Sequence, residues 1–295
     1  MADSTVTTAE RVIGEAVDVW GADTAIYSIL QNDVAELLDE WNDHLAPSTN
    51  NLYRRHLRQW IRWMTEHEDM NIRLSHRWIP DVREPKRTVD VVSDGDWDKF
   101  ISAADSERSF CRIRMAAMCR LLLDTGLRQG ECRSLEVSHV MDGRIRVLGK
   151  GARERFVHPS SAMWGRLTDW MELLGEAVDE LGRDVLWLFP TEGGNQMSAN
   201  TVRRWFNQFS EEVGIDPPIR PHMLRSTWAT NCIRQGIPLP TICQMGGWAS
   251  SQVLEDRYVA AANRDQLEDA SEKSMIAGDD GDGNEKKSRI RRRWE

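Results

Sequence analysis

Apolar residues recur every three or four positions along most of this chain, a spacing typical of amphipathic α-helices. One such stretch runs from Thr24 to about His44, and a second begins at Ser48, a good N-cap residue, and reaches about His67. Further helical stretches start near 93 and after Pro240 and cover residues 107–125, 161–178, 198–213 and 222–235, and the segment 251–262 contains Tyr258. The pattern predicts a mainly α-helical protein.

Two segments alternate with a period of two, Arg144–Leu148 and Arg153–Val157, which is typical of β-strands. The turn between them contains Gly149, Lys150 and Gly151, and this short glycine-rich connection predicts a β-hairpin. A small antiparallel sheet is therefore expected within the helical chain.

Changes in composition divide the chain into five predicted segments. These are an acidic N-terminal extension (1–23), a helical domain (24–84), a basic linker (85–92), a second domain (93–276) and a tail (277–295). We expect the extension to be flexible or loosely helical and the tail, which becomes basic at its end, to be disordered. Pro85 disfavours helix in the linker, where Lys86 and Arg87 could lie along a phosphate backbone.

The net charge of −9 argues at first against a nucleic-acid partner. The acidity is concentrated, however, because residues 1–50 contain ten acidic residues and a single basic one, Arg11. The remainder is neutral overall and can still carry a basic face. An ordinary acidic cytosolic protein and adaptation to a high-salt cytoplasm both remain open as explanations of the acidity.

Four arginines interrupt the apolar stripe of the second predicted helix. They are Arg54, Arg55, Arg58 and Arg62, and their spacing places them along one ridge. Such a ridge is either an ordinary solvated face or a surface that contacts DNA phosphates, and the rest of the sequence favours DNA.

The cysteines and the hydropathy pattern indicate in which cellular compartment the protein belongs. The five cysteines are odd in number and lack paired metal-ligand spacing, which is typical of reduced, buried thiols. The polar N-terminus does not resemble a signal peptide, and no apolar stretch is long enough to span a bilayer. We expect a cytoplasmic protein with no membrane partner.

Cationic residues in the C-terminal two-thirds of the chain occur at positions suited to binding phosphate. Arg128 follows the turn at Gly126 and begins a new helix, whose N-terminus favours anions. His222 and Arg225 are three residues apart, so they share one helix face. Tyr258 supplies a hydroxyl that could attack such a phosphate.

Four motifs, in this order, resemble those of the phage-integrase type of tyrosine recombinase. They are Thr125–Glu131 (Thr-Gly-Leu-Arg-x-x-Glu), the hairpin around Lys150, His222–Arg225 (His-x-Leu-Arg), and Gly246–Trp248 followed by Tyr258. Trp248 and Tyr258 are ten positions apart, one more than is usual in the family. Two explanations are open: the connection carries one inserted residue, or Gly247 occupies the position of the family's His or Trp. We favour the insertion, because the indole N–H of Trp248 can donate to a phosphate oxygen, whereas glycine has no side chain.

The resemblance implies a role for each motif residue. Arg128, Arg225 and Trp248 would hold the scissile phosphate, with Glu131 supporting the site. Lys150 would be the general acid for the departing 5′ oxygen, and His222 the candidate base. Tyr258 would form a 3′-phosphotyrosine, with neither a metal nor another cofactor required.

The resemblance also implies a two-domain clamp around duplex DNA, in which residues 24–84 form the helical core-binding domain and residues 93–276 the catalytic domain. The candidate DNA contacts are Arg54, Arg55, Arg58, Arg62, Lys86, Arg87 and Arg153. The DNA partner would be a specific recombination site. On DNA the chain would form a tetramer in which the C-terminal segment of each copy contacts a neighbouring copy, and a directionality factor is a further candidate partner. Relaxation of DNA by a type IB topoisomerase-like enzyme and a non-catalytic DNA-binding accessory role are the alternatives.

Overall fold

The computed structural model describes residues 3–67, 73–85, 89–149, 153–182, 184–259 and 262. The chain divides into two units, residues 1–86 and 87–295. The expected mainly helical fold with a small antiparallel sheet is confirmed. The tail 277–295 and the linker residues Lys86 and Arg87 lie outside the described residues.

Three helices build the first unit: α1 (Asp3–Trp20), α2 (Gln31–His44) and α3 (Pro47–Glu66). Their apolar faces meet in a core that includes Leu37, Trp41 and Leu57. The Trp41 ring packs edge-on against Tyr53, with ring centroids 5.3 Å apart, an arrangement that aromatic pairs favour.

The helix boundaries differ from the expected ones at two points. After a short 3-10 turn at Ile26–Ser28, the α-helix begins only at Gln31, because Ile29 and Leu30 are extended and the Asp33 carboxylate accepts a hydrogen bond from the Leu30 amide at 2.7 Å. The next helix begins at Pro47, not after a Ser48 cap, because proline's fixed φ and missing N–H suit the first helical position.

The expected extension over residues 1–23, flexible or loosely helical, contains a helix, but it is not separate from the first domain. Helix α1 is part of the first unit, and its Val12 and Ala16 side chains are fully buried. Their spacing of four places both on one face, which packs onto α3. The Tyr53 hydroxyl adds a 2.9 Å hydrogen bond to Glu15. The many acidic residues of this segment made its short apolar stripe difficult to recognise in the sequence.

Arg54 does not lie on an exposed basic ridge. Its guanidinium is buried and donates hydrogen bonds to the Asn50 and Asn42 amide oxygens, at 2.6 and 2.8 Å, and to the Pro80 carbonyl at 2.8 Å. A helical period shows which residues share a face but not which of them are covered by distant segments.

The other three arginines reach the surface to different extents. Arg58 donates to the Ile79 carbonyl and pairs with Asp81, and Arg62 pairs with Glu66 in an exposed i,i+4 bridge. Arg55 is exposed. DNA contact by these three remains a prediction.

We expect Arg54→Met to lower the free energy of unfolding by about 2–4 kcal/mol, because several buried acceptors would lose a charged donor. Arg55→Met should change it by less than about 0.5 kcal/mol. Urea unfolding followed by circular dichroism, with hydrogen exchange of α3 amides, measures both. An Arg54 variant as stable as the Arg55 variant but weaker on DNA would restore the ridge hypothesis.

The second unit contains eight α-helices among its described residues. They are α4 (Asp94–Asp105), α5 (Phe110–Thr125), α6 (Gln129–Arg133), α7 (Ser161–Leu181), α8 (Ala199–Val213), α9 (Pro221–Arg234), α10 (Leu239–Gly246) and α11 (Gln252–Leu254). Helix α5 is buried on most sides and packs against α4, α7 and α9. Its two ends therefore have fixed positions in the unit.

The sheet has three antiparallel strands in the order β1 (Val140–Met141), β2 (Arg144–Leu148) and β3 (Glu154–Val157). The register pairs Leu148 with Glu154 and Ile145 with Val157. The predicted hairpin strands are therefore present, and residues 150–152 of their turn lie outside the described residues.

Candidate active site

The corner between α5 and α6 positions Arg128. Gly126 ends α5 with φ +64°, and a Cβ atom there would meet the Trp228 ring at 2.1 Å. The position therefore requires glycine for both its backbone conformation and its packing. Arg128 follows as the N-cap residue of α6, and its side chain is about half exposed.

Glu131 anchors two arginines from different parts of the chain. Its carboxylate accepts from the Arg128 amide at 2.9 Å and from Arg128 Nη1 at 3.0 Å. Arg155 on β3 binds the same carboxylate through both terminal nitrogens, at 2.9 and 2.8 Å. Burial alone would raise the pKa of Glu131, but these bonds from Arg155 and Arg128 outweigh it and lower the pKa. Glu131 is therefore an ionised support for Arg128.

Arg155 was not predicted from the sequence. Besides binding Glu131, it donates to the Met245 carbonyl at 3.1 Å, and a Cβ atom at Gly247 would lie 3.0 Å from its guanidinium. It thus connects β3 to α6 and to the end of α10. Its alternation with Arg153 indicates a strand face, but nothing in the sequence pairs it with Glu131.

Arg225 is a buried cation whose hydrogen-bond partners are neutral. Its guanidinium donates to the backbone carbonyls of Gly126 and, at 2.8 Å, Gly246, and it lies 3.7 Å from the centroid of the Trp248 ring. Burial, together with the charge of Arg128, lowers its pKa to about 9. It is still protonated at neutral pH, in a place where an anion would be strongly stabilised.

Trp248 packs between aromatic and cationic groups. Its ring stacks on Trp228, with centroids 6.1 Å apart, and meets Tyr258 edge-on at 5.9 Å. Gly247 ends α10 with φ +69°, and its carbonyl accepts from Arg128 Nη2 at 2.9 Å. Trp248, rather than Gly247, thus presents a side chain to the site.

Tyr258 lies on a π-helical turn, Glu255–Val259, that continues directly from α11. Such turns are rare and hold an additional residue within a helix. The turn offers a place for the extra residue between Trp248 and Tyr258. Tyr258 is 2% exposed and packs with Trp228, Ile242 and Leu254.

One cavity of about 310 Å³ joins these elements. The side chains that matter to its chemistry are Arg128, His222, Arg225, Trp248, Arg257 and Tyr258. His222 lies at the accessible rim. Its partial burial there, followed by the charges of Arg225, Arg257 and Arg128, lowers its pKa. The structure therefore brings five of the six predicted core residues to one place.

The sixth predicted core residue, Lys150, lies outside the described residues. The base of its hairpin is nevertheless beside the site: Gly149 donates to the Arg153 carbonyl at 2.8 Å, and a Cβ atom at Gly149 would lie 3.9 Å from the Glu131 carboxylate. The Arg153 side chain is exposed.

Two other classes of site are absent from the described residues. Within the described part of the chain, no group of three or more His, Cys, Asp or Glu side chains could hold a metal ion. None of the described helices combines the length and apolarity needed to cross a membrane.

Comparison with known proteins gives consistent matches. A sequence model of the phage integrase family matches residues 92–264. The chain is 31% identical over 189 residues to tyrosine recombinase XerC of Corynebacterium glutamicum, covering 62% of this chain and 59% of that protein. The matched region spans a little over half the length of the curated relatives.

Two solved structures share the fold. The XerH site-specific recombinase, bound to palindromic difH substrate in a post-cleavage complex, has a TM-score of 0.73 at 18% identity over 90% of this chain and 78% of that one. A lambda integrase tetramer bound to a Holliday junction has a TM-score of 0.65 at 18% identity over 87% and 72%.

Proposed function

The chain belongs to the phage integrase family, and on that premise we propose that it is a site-specific DNA recombinase that cuts and rejoins duplex DNA through Tyr258. The observation that carries the proposal is the single cavity in which a buried arginine, a half-exposed arginine, a histidine and a tyrosine meet. A phosphodiester requires this combination of fixed cationic donors and a nucleophile if it is to be cleaved by a protein side chain.

The cleavage step transfers one bond. The Tyr258 oxygen forms a bond to phosphorus while the bond from phosphorus to the 5′ oxygen breaks, which leaves a 3′-phosphotyrosine. The phenolic proton passes to His222, whose lowered pKa keeps it neutral and able to accept. The departing 5′ oxygen takes a proton from Lys150.

Charge that develops on the non-bridging oxygens is stabilised by Arg128 and Arg225. Arg225 is already fixed by two carbonyls and the Trp248 ring, so little reorganisation is needed when the phosphate enters. Attack by a new 5′ hydroxyl on the phosphotyrosine reverses the step and completes strand exchange, and the bond energy is conserved without a nucleotide cofactor.

Recombination of two sites requires several copies of the chain. We propose a tetramer on DNA, with the segment after Tyr258 contacting a neighbouring copy, in the cytoplasm where chromosomal DNA is found. A lambda integrase tetramer on a Holliday junction shares this fold, which supports the assembly. DNA contacts from Arg55, Arg58, Arg62, Lys86, Arg87 and Arg153, and a directionality factor, complete the proposed partners.

Incubation of the protein with tiled duplex fragments that flank its own gene tests the proposal. We expect a covalent protein–DNA complex on a denaturing gel with one fragment, and we expect it to persist in EDTA because the cavity's donors are arginine, histidine and tryptophan N–H groups. A complex that disappears on chelation would indicate a metal-dependent reaction. Relaxation of supercoiled plasmids without any preferred fragment would indicate a topoisomerase instead.

A further inference from the structure

Arg257 is a third arginine of the active-site cavity, to which the sequence motifs assign no role. It directly precedes Tyr258 on the π-helical turn, and its side chain lines the cavity with Arg128, His222 and Arg225. The nucleophile and this cation therefore approach the same space from one short segment of chain.

The three arginines differ in what already occupies their donors. Arg128 is bonded to Glu131 and to the Gly247 carbonyl, and Arg225 to two carbonyls and the Trp248 ring. Arg257 is exposed, and it forms no ion pair with, and donates no hydrogen bond to, any other described residue. No described residue therefore occupies its five N–H donors, which suit an oxygen anion.

Three arginine side chains place positive charge around the His222 imidazole. The groups that face the imidazole are Arg225 on α9, Arg128 at the start of α6, and Arg257 and Tyr258 on the π-helical turn. Burial and three like charges lower the pKa of His222. A phosphate group in the cavity would offset this repulsion and pair with each arginine.

We propose that Arg257 binds a non-bridging oxygen of the DNA phosphate that Tyr258 attacks, and so acts as a third phosphate-binding arginine. The inference rests on the proposed function, since it concerns the same phosphate. Because Arg257 and Tyr258 are adjacent in the chain, the contact would also align the phenolic oxygen with phosphorus.

The contact is tested by removing the charge of Arg257 and the charge of the scissile phosphate, separately and together. Once the cleavage site is mapped, the scissile phosphate is replaced by a methylphosphonate, in which a methyl group replaces one charged oxygen. On ordinary DNA, Arg257→Gln should slow single-turnover cleavage about tenfold or more. On the methylphosphonate diastereomer that lacks the oxygen contacted by Arg257, the variant and the wild type should differ by less than about threefold, because the partner oxygen is gone.

Arg166→Gln is the matched control, because Arg166 is an exposed arginine of α7 that lines a different cavity. It should cleave both substrates at the wild-type rate. A second variant, Arg257→Lys, keeps the charge and loses the planar fork, so it should recover part of the lost rate.

The pH profile separates a direct role from a structural one. In Arg257→Gln one of the charges that lower the pKa of His222 is lost, so this pKa rises and the acidic limb of the cleavage rate moves to higher pH. Arg257→Lys should leave that limb in place. A merely structural change would lower the rate at every pH without moving the limb.

The outcomes distinguish this inference from the proposed function. If the wild type forms a covalent complex while Arg257→Gln behaves like Arg166→Gln, the inference fails and the proposed function stands. An equal loss in Arg257→Gln on ordinary DNA and on both methylphosphonate diastereomers also overturns it. If the wild type forms no covalent complex on any fragment, both fail.

Discussion

Tyr258→Phe is expected to abolish the covalent protein–DNA complex while leaving the fold and DNA binding intact. Phenylalanine keeps the ring that packs edge-on against Trp248, so the π-helical turn and the cavity wall are preserved. Only the hydroxyl is lost, and among the described residues that line the cavity no other carries a hydroxyl that could replace it. The expected change is complete loss of the adduct.

A nicked substrate traps the adduct, because the short 5′ fragment diffuses away after cleavage and cannot be rejoined. The adduct then runs as a slower band on a denaturing gel, while a native gel measures binding. Tyr27→Phe is the control, since Tyr27 is an exposed tyrosine of the first unit. An undiminished slow band in Tyr258→Phe would refute the assignment of the nucleophile.

Arg225→Lys should reduce cleavage about a hundredfold to a thousandfold, which is the range seen when one fixed donor to a developing negative charge is removed. The guanidinium of Arg225 spans two backbone carbonyls and packs on Trp248 at the same time. A lysine ammonium preserves the charge but is a point donor, and it cannot reproduce the planar contacts. Binding of DNA should weaken far less than cleavage.

Single-turnover cleavage and equilibrium binding, measured on the same fragment, separate the two effects. Arg166→Lys provides the control for the substitution itself, and thermal unfolding shows whether the variant is folded. If Arg225→Lys cleaves at the wild-type rate, the charge alone would be sufficient and the preorganised guanidinium unnecessary.

The sequence predicts the local elements of this fold well, because their signals are local. The alternation of Arg144–Leu148 and Arg153–Val157 predicts the strands β2 and β3, and the helical stretches 161–178 and 198–213 correspond to α7 and α8. These interactions involve residues only a few positions apart, so the pattern contains the information.

The sequence was a poor guide where distant segments decide the outcome. Arg54 looks like a surface residue by its spacing, yet Asn42 and the Pro80 carbonyl cover and satisfy it. Likewise, the role of Arg155 depends on Glu131, which is 24 positions away. Such contacts depend on the packing of whole elements, which no local period contains.

The candidate site could be predicted from the sequence in part. Motif order identified Arg128, His222, Arg225, Trp248 and Tyr258, and the structure brings them to one cavity. The motifs did not indicate that Arg225 would be held by the Gly126 and Gly246 carbonyls, since backbone groups leave no mark in the sequence. They also gave no role to Arg257, whose position follows from the π-helical turn.

The most direct test of the central claim is to find which atom of the protein carries the DNA. The trapped complex is digested with nuclease and trypsin, and the peptide that retains a nucleotide is sequenced by mass spectrometry. We predict a phosphate linkage on Tyr258, within a peptide that ends at Arg264. A nucleotide attached to any other residue would contradict the proposal that the cationic cavity serves this tyrosine.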